Sequence, residues 1–175
     1  PHLPAPLPAG TAFLDRRRIT STYLEQRPRT FNLLVSYLEV MDAAVRREHA
    51  LSIPAARPAT ATLKSVCASI TLGAELKLLL LSGFLPHLAD CASCGSKASL
   101  PRFSAQAGGA VCDSCSSESF RISTAMLDAM RELLEKPLAA AAAMVIENDT
   151  APEVWRAIRE ICRYHLGTDL RVEPW

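Results

Sequence analysis

At 175 residues and 49% hydrophobic, the chain can bury one compact core with at most a small appendage, and two full-sized domains would not fit. Nineteen Lys and Arg against eighteen Asp and Glu leave a net charge of +1, so no whole-chain basic signature exists and any nucleic-acid contact must rest on local clusters. The longest apolar run, around Leu76 to Leu81, contains Lys77 and falls far short of the ~20 residues that cross a bilayer. PHLPAPLPAG lacks a basic segment followed by a hydrophobic one, so it does not read as a secretory signal, and a cytoplasmic protein without a membrane partner is expected.

Residues 1–30 read as a Pro/Arg-rich arm or linker, with a short helical turn near Ala12 to Glu25. Its arginines, Arg16, Arg17, Arg18, Arg27 and Arg29, are the candidate nucleic-acid contacts, because each cation set against a phosphate releases counterions; a solvated basic arm is the plain alternative. From Phe31 the pattern becomes helical. Phe31, Leu34, Val35, Leu38, Met41 and Val45 form one stripe, with Thr30 as the expected N-cap. Pro54 and Pro58 mark a loop over 50–60.

A second helix is expected from about Thr62 to Ser82, apolar nearly all round in its C-terminal half and therefore central to the core, with Gly83 closing it. Residues 31–90 make the first part of a helical bundle. Residues 117–175 make the second. There Ser123 caps a helix with the stripe Met126, Leu127, Met130, Leu133 and Leu134, and the alanine-rich Leu138 to Ile146 forms another. Thr150-Ala-Pro-Glu153 predicts a capping box at the start of the last helix, whose buried stripe is Val154, Ile158, Ile161 and Cys162, with Gly167 at its end. No internal repeat is present, so the fold class is mainly α, a helical bundle interrupted by one small insertion.

The insertion is residues 91–116. Cys91-x-x-Cys94 and Cys112-x-x-Cys115 are separated by 17 residues, the spacing at which two tight turns bring four sulfurs into a tetrahedron. Gly95 permits the backbone turn behind the first pair. Arg102 to Ala105 and Ala110 to Cys112 are short strand candidates, with Gly108-Gly109 as the hairpin turn between them, so a small zinc ribbon with four cysteine ligands is expected. Four thiolates fill a zinc ion's coordination sphere. The ion, one Zn2+ per chain, would be structural. A thiol redox switch and permanent disulfides are the alternatives, with only Lys97 and Arg102 nearby to activate a thiolate. Cys67 and Cys162 sit in apolar helical patterns and read as core residues.

An enzyme is not expected. His2, His49, His87 and His165 share no dyad or triad spacing with carboxylates or serines, the seven glycines form no phosphate loop, and the 6% aromatic content offers no stacking platform.

The segment Gly83-Phe84-Leu85-Pro86-His87-Leu88-Ala89-Asp90-Cys91 resembles the LGFxPxLxxC segment of the RecO family of bacterial recombination mediators. The Gly-Gly before the second cysteine pair, the helix Ile122 to Glu135 and the C-terminal Tyr164-His165-Leu166-Gly167 resemble that family too, over about residues 63–175. The resemblance implies a nucleoid-associated DNA-repair protein. Its implied activity is to load recombinase and anneal strands on DNA coated by single-strand-binding protein, in company with RecR and RecF, with single- and double-stranded DNA as partners. It also implies that Cys91, Cys94, Cys112 and Cys115 hold zinc, and that the helical part binds the acidic tail of single-strand-binding protein. Lys64 and Lys77, flanking the most apolar helix, are the candidates for that contact.

The family begins with an OB-fold, and no run of alternating strands precedes Phe31. A fragment carrying the helical and zinc portion, or a member lacking the barrel, is expected. Two rival readings are a zinc-stapled helical adaptor without a DNA role and a redox-sensing chaperone built on the paired CxxC motifs.

Overall fold

The computed structural model describes residues 28–47, 62–144, 146 and 149–167. Arg16, Arg17, Arg18, Arg27, the helical turn expected near 12–25 and the 50–60 loop lie outside the described residues.

Residues 28–47 are helical throughout (α1), so Thr30 sits inside the helix rather than capping it. The face α1 presents to the bundle also differs from the expected stripe. Leu33, Tyr37, Val40, Met41 and Ala44 pack inward, while Phe31 and Leu38 are 66% and 65% exposed and Leu34 is exposed as well. The helix is apolar on two sides, and a hydrogen bond of 3.3 Å between the Tyr37 and Thr71 hydroxyls accompanies the face that is used.

Helix α2, Leu63–Leu81, is the central element and packs against the three helices that follow. Its start is a capping box in which Ser65 N–H donates to Thr62 Oγ and Thr62 N–H donates to Ser65 Oγ, at 3.2 and 3.1 Å. Ile70, Leu72 and Leu76 are fully buried. Each contributes roughly 1.5–3 kcal/mol by leaving water. Gly73 lets Leu133 and Leu138 approach: a Cβ there would lie 3.3 Å from a methyl of each. The C-terminal half is not wholly central, for Leu78 and Leu80 face outward. Gly83 closes the helix at φ +83°, with Phe84 N–H returning to Leu79 O at 2.9 Å.

Strands β1 (Arg102–Ser104), β2 (Gly109–Val111) and β3 (Phe120–Arg121) form an antiparallel sheet in the order β2-β1-β3. The hairpin was expected. Strand β3 was not, because two residues carry no readable alternation. Gly109 belongs to β2, and the turn residue with positive φ is Gly108.

Helix α3, Thr124–Glu135, is capped by Ser123 Oγ accepting from Met126 N–H at 3.1 Å. Helix α4 is one turn, Leu138–Ala141, so the alanine-rich segment is far shorter as a helix than expected. It ends in 3-10-type bonds from Ala143 to Ala140 and from Met144 to Ala141. Helix α5, Thr150–Leu166, begins without the expected capping box. Thr150 is buried, and Glu153 instead accepts from Ser123 N–H at 3.0 Å and Ser123 Oγ–H at 2.6 Å. The glutamate that would have closed its own helix ties α5 to the N-cap of α3. Gly167 ends α5 at φ +62°, as its position predicts. Among the described residues no helix is long and apolar enough to cross a membrane.

One acid lies inside the bundle. Burial lifts the Glu75 carboxyl on α2 from 4.5 to about 7, and Oε2 finds no hydrogen-bond partner. Burial, with the Glu75 charge behind it, also raises the Cys162 thiol on α5. The folded chain thus holds a proton that the unfolded chain gives up near 4.5. The associated stability is intact below that pH and is lost as pH rises through about 7. Glu75→Gln is expected to stabilise by about 1–2 kcal/mol at pH 8 and by a few tenths at pH 5. Urea midpoints at the two pH values check this, and an equal shift at both would contradict it.

Candidate metal centre

The chain leaves α2 at Gly83 and runs along β2 before reaching the first cysteine pair. His87 and Gly109 form a parallel bridge, with His87 N–H donating to Gly108 O and Ala110 N–H to His87 O, both at 2.8 Å. Ala92 N–H then donates to Ala110 O at 2.8 Å. The segment before the first knuckle is therefore laid onto the strand before the second, and the pairing fixes the distance between the knuckles.

The knuckles are tight turns. In the first, Gly95 N–H donates to Cys91 O at 2.8 Å and Gly95 takes φ +71°. In the second, a 3-10 turn over Asp113–Cys115 has Cys115 N–H donating to Cys112 O at 3.0 Å. The four Sγ atoms of Cys91, Cys94, Cys112 and Cys115 lie within 4.8 Å of one another. The Cys94 and Cys112 sulfurs are 3.8 Å apart, the spacing of two ligands at ~2.3 Å from a tetrahedral ion. All six cysteines are free thiols. The four-thiol set fits a metal ion.

Burial divides the four cysteines. Cys91 and Cys112 are 1% and 6% exposed, whereas Cys94 faces solvent. Cys112 N–H donates to Cys91 Sγ at 3.4 Å, and chiefly through this the Cys91 thiol is brought down to about 6. Amides aimed at a sulfur favour the thiolate, the form that binds metal. At Cys94 the Ser96 amide pulls the same way, but the neighbouring thiols of Cys91 and Cys115 outweigh it and push Cys94 up to about 12. Four sulfurs this close cannot share negative charge without a cation among them.

The cluster is bolted to the bundle by residues that motif reading missed. Arg131 on α3 donates to Leu88 O at 2.5 Å and pairs with Asp128 at 3.2 Å. Arg102 donates to Ser119 Oγ and Ser119 O at 2.7 and 3.0 Å, closing the loop behind the second knuckle. His165 on α5 donates from Nε2 to Ala105 O at 3.2 Å, and its ring lies 5.3 Å from that of Phe84. Spacing gave no hint of these, because each joins segments far apart in sequence. His87 does have a carboxylate neighbour, Asp90 Oδ1 at 2.5 Å, but the pair lies at the surface and the backbone of His87 is what aligns the cluster.

The candidate contact residues are dispersed. Arg29 is exposed on α1. Lys64 is exposed at the start of α2, beside a hollow of about 410 Å³ lined also by Ala68, Ile146, Ala151 and Pro152. Lys77 is half-buried, its ammonium donates to Leu134 O at 3.0 Å, and burial lowers its pKa. Thirteen residues of helix separate the two lysines by roughly 20 Å, so no single small ligand meets both.

Residues 61–174 match the family described as Recombination protein O C terminal. The DNA repair protein RecO of Anaeromyxobacter dehalogenans (strain 2CP-C) is 32% identical over 145 residues, covering 80% of this chain and 49% of the relative. The proteins of the same name from Symbiobacterium thermophilum and Rubrobacter xylanophilus are each 36% identical, over 91 and 99 residues, covering 48% and 52% of this chain and 36% of each relative. The chain spans about half or less of the length of these relatives. No solved structure matches. The matched span contains the four-cysteine cluster and the Phe84–His165 contact that joins the cluster's approach to the last helix, and with it this chain belongs to the RecO family of DNA repair proteins.

Proposed function

We propose that the chain supplies the helical, metal-bearing part of a non-enzymatic recombination mediator, acting at the bacterial nucleoid on DNA coated by single-strand-binding protein. The observation that carries this reading is the family match over residues 61–174. In this reading RecR and RecF are the working partners in recombinase loading, and strand annealing engages single- and double-stranded DNA. Arg16, Arg17, Arg18, Arg27 and Arg29 supply phosphate contacts from the N-terminal side.

Zinc is the ion for Cys91, Cys94, Cys112 and Cys115, because four thiolates select a soft, tetrahedral cation. It holds structure. Four protein ligands leave no position for water or substrate, so the cluster performs no reaction.

Lys64 and its hollow suit the tail of single-strand-binding protein, an acidic peptide ending in an apolar residue: Ile146, Ala151 and Pro152 offer the apolar wall, and the ammonium meets a carboxylate. Lys77 is tied to Leu134 O and serves less well. A peptide copying that tail is expected to bind with micromolar affinity, weakening with salt. Lys64→Glu is expected to reduce the affinity about tenfold. The paired assay is annealing of complementary strands coated by single-strand-binding protein. Faster annealing with the chain present supports the mediator reading, and no peptide binding at low salt together with no annealing overturns it.

A further inference from the structure

We infer that Cys94 is the oxidation site of the four-cysteine cluster: a hydroperoxide takes its thiolate first, Cys112 closes a disulfide with it, and the metal is let go. The inference rests on the zinc reading of the cluster and gives the ribbon an output that a purely structural ion lacks. The ion still handles no substrate. What reacts is one of its ligands.

Three observations single out Cys94. First, the set has an inner wall and an open edge: Cys91 and Cys112 are buried and Cys115 is half-buried, whereas Cys94 is exposed. Oxidation follows thiolate character and access, and with a cation among the sulfurs all four are thiolates, so access decides. Second, small residues flank that edge. Ser93 and Gly95, on either side of Cys94, are exposed, and a Cβ built on Gly95 would meet no atom within 4 Å. Third, a second sulfur waits beside it, Cys112 Sγ at 3.8 Å. A disulfide is about 2.05 Å long, so turning the two side chains about their Cα–Cβ bonds brings these sulfurs together. Cys91 is the poorer partner, because its sulfur already accepts Cys112 N–H at 3.4 Å.

The oxidant is the one group the chemistry needs from outside the cluster. The Cys94 thiolate attacks a peroxide oxygen and breaks the O–O bond, giving a sulfenic acid and expelling hydroxide or alkoxide. The Cys112 thiolate then attacks the Cys94 sulfur and expels hydroxide, so two thiolates supply the two electrons that reduce the peroxide. Cys91 and Cys115 remain, half of the four ligands that a structural zinc takes. Cys67 and Cys162 lie on α2 and α5, and burial raises both thiols, so the cluster is where an oxidant meets thiolate at neutral pH.

The experiment uses the full chain as purified, its zinc measured first, and then hydrogen peroxide or the bulkier tert-butyl hydroperoxide. Zinc release is followed with a chromogenic chelator, and disulfides are mapped by mass spectrometry without reduction. Both peroxides are expected to release the zinc, with a Cys94–Cys112 disulfide forming in step, and a dithiol reductant with added zinc to reverse both. Cys94→His keeps four ligands of zinc-binding type but removes the exposed thiolate, and is expected to slow release at least about tenfold. Cys115→His has the same ligand types with Cys94 in place, and should release zinc at close to the wild-type rate. Release from Cys94→His as fast as from Cys115→His overturns the inference. So does a first disulfide other than Cys94–Cys112, or zinc that stays bound in the oxidised wild-type chain. These outcomes leave the zinc reading standing. Should Cys94→His fail to fold, the disulfide map of the wild-type chain decides alone. A wild-type chain that carries no zinc before treatment overturns the zinc reading and the inference with it.

Discussion

Replacing Cys112 with serine, or stripping the metal with a strong chelator, is expected to release the segment 84–121 while α2, α3 and α5 remain helical. Beyond an ion the segment has the ties of Arg131, Arg102 and His165 and the burial of Leu88, Phe103 and Val111, spread over strands too short to pair stably alone. Its strands are two or three residues long, and the knuckles themselves bury almost nothing apolar beyond Cys91 and Cys112. A structural zinc in such a setting contributes roughly 10 kcal/mol or more of apparent binding free energy at neutral pH. The bundle has its own buried set, including Ile70, Leu72, Leu76, Met130, Leu133, Val154 and Ile158, and does not depend on the ion directly. The expected readout is a near-unchanged helical circular dichroism signal, with amide exchange and proteolytic cleavage opened across 84–121. Acidification should act as the chelator does, because protons compete with the metal for thiolates. Global loss of helix in Cys112→Ser would show that the ribbon is part of the bundle's folding unit.

The second large effect is expected at Gly109. A Cβ there would fall 2.1 Å from His87 O and 2.7 Å from His87 N, and both are backbone atoms with nowhere to go. Gly109→Ala must therefore break the His87 pairing that sets the spacing between the knuckles, a cost of at least about 3 kcal/mol with impaired metal retention. Its neighbour behaves differently. Gly108 takes φ +81° with open space around the missing Cβ, so Gly108→Ala should cost only about 1 kcal/mol of backbone strain. Denaturation midpoints and metal content of the two variants test the order, and a larger loss at Gly108 would contradict the account. Reading Gly108-Gly109 as one turn signal missed this division of labour, because only the fold brings His87 against the second glycine.

What could be read in the sequence was local. The cysteine spacing, the Ser123 cap, the positive-φ glycines at 83, 95 and 167 and the amphipathic stripes of α3 and α5 depend on neighbours within a turn or two. What could not be read depends on partners far along the chain. Thr150 and Glu153 have the composition of a capping box, yet Ser123 offers Glu153 two donors and wins it for α3. Helix α1 is apolar on two faces, so periodicity could not say which one meets α2. The alanines after Leu138 have high helix propensity, but the helix stops after Ala141. At the cluster, the four cysteines that the fold brings together were plain from spacing, whereas Arg131, Arg102 and His165, which bolt it down, were not. Of the contact residues, Lys64 borders an apolar hollow and Lys77 is occupied with a backbone carbonyl, a difference their sequence contexts do not reveal.

The most direct test is the metal content of the full chain, purified without added metal and examined by native mass spectrometry before and after thiol alkylation. The account predicts one zinc per chain, retained at neutral pH and released as the thiols of Cys91, Cys94, Cys112 and Cys115 are blocked, with loss of amide protection over 84–121. A metal-free chain whose 84–121 segment is as well protected as the bundle would contradict it.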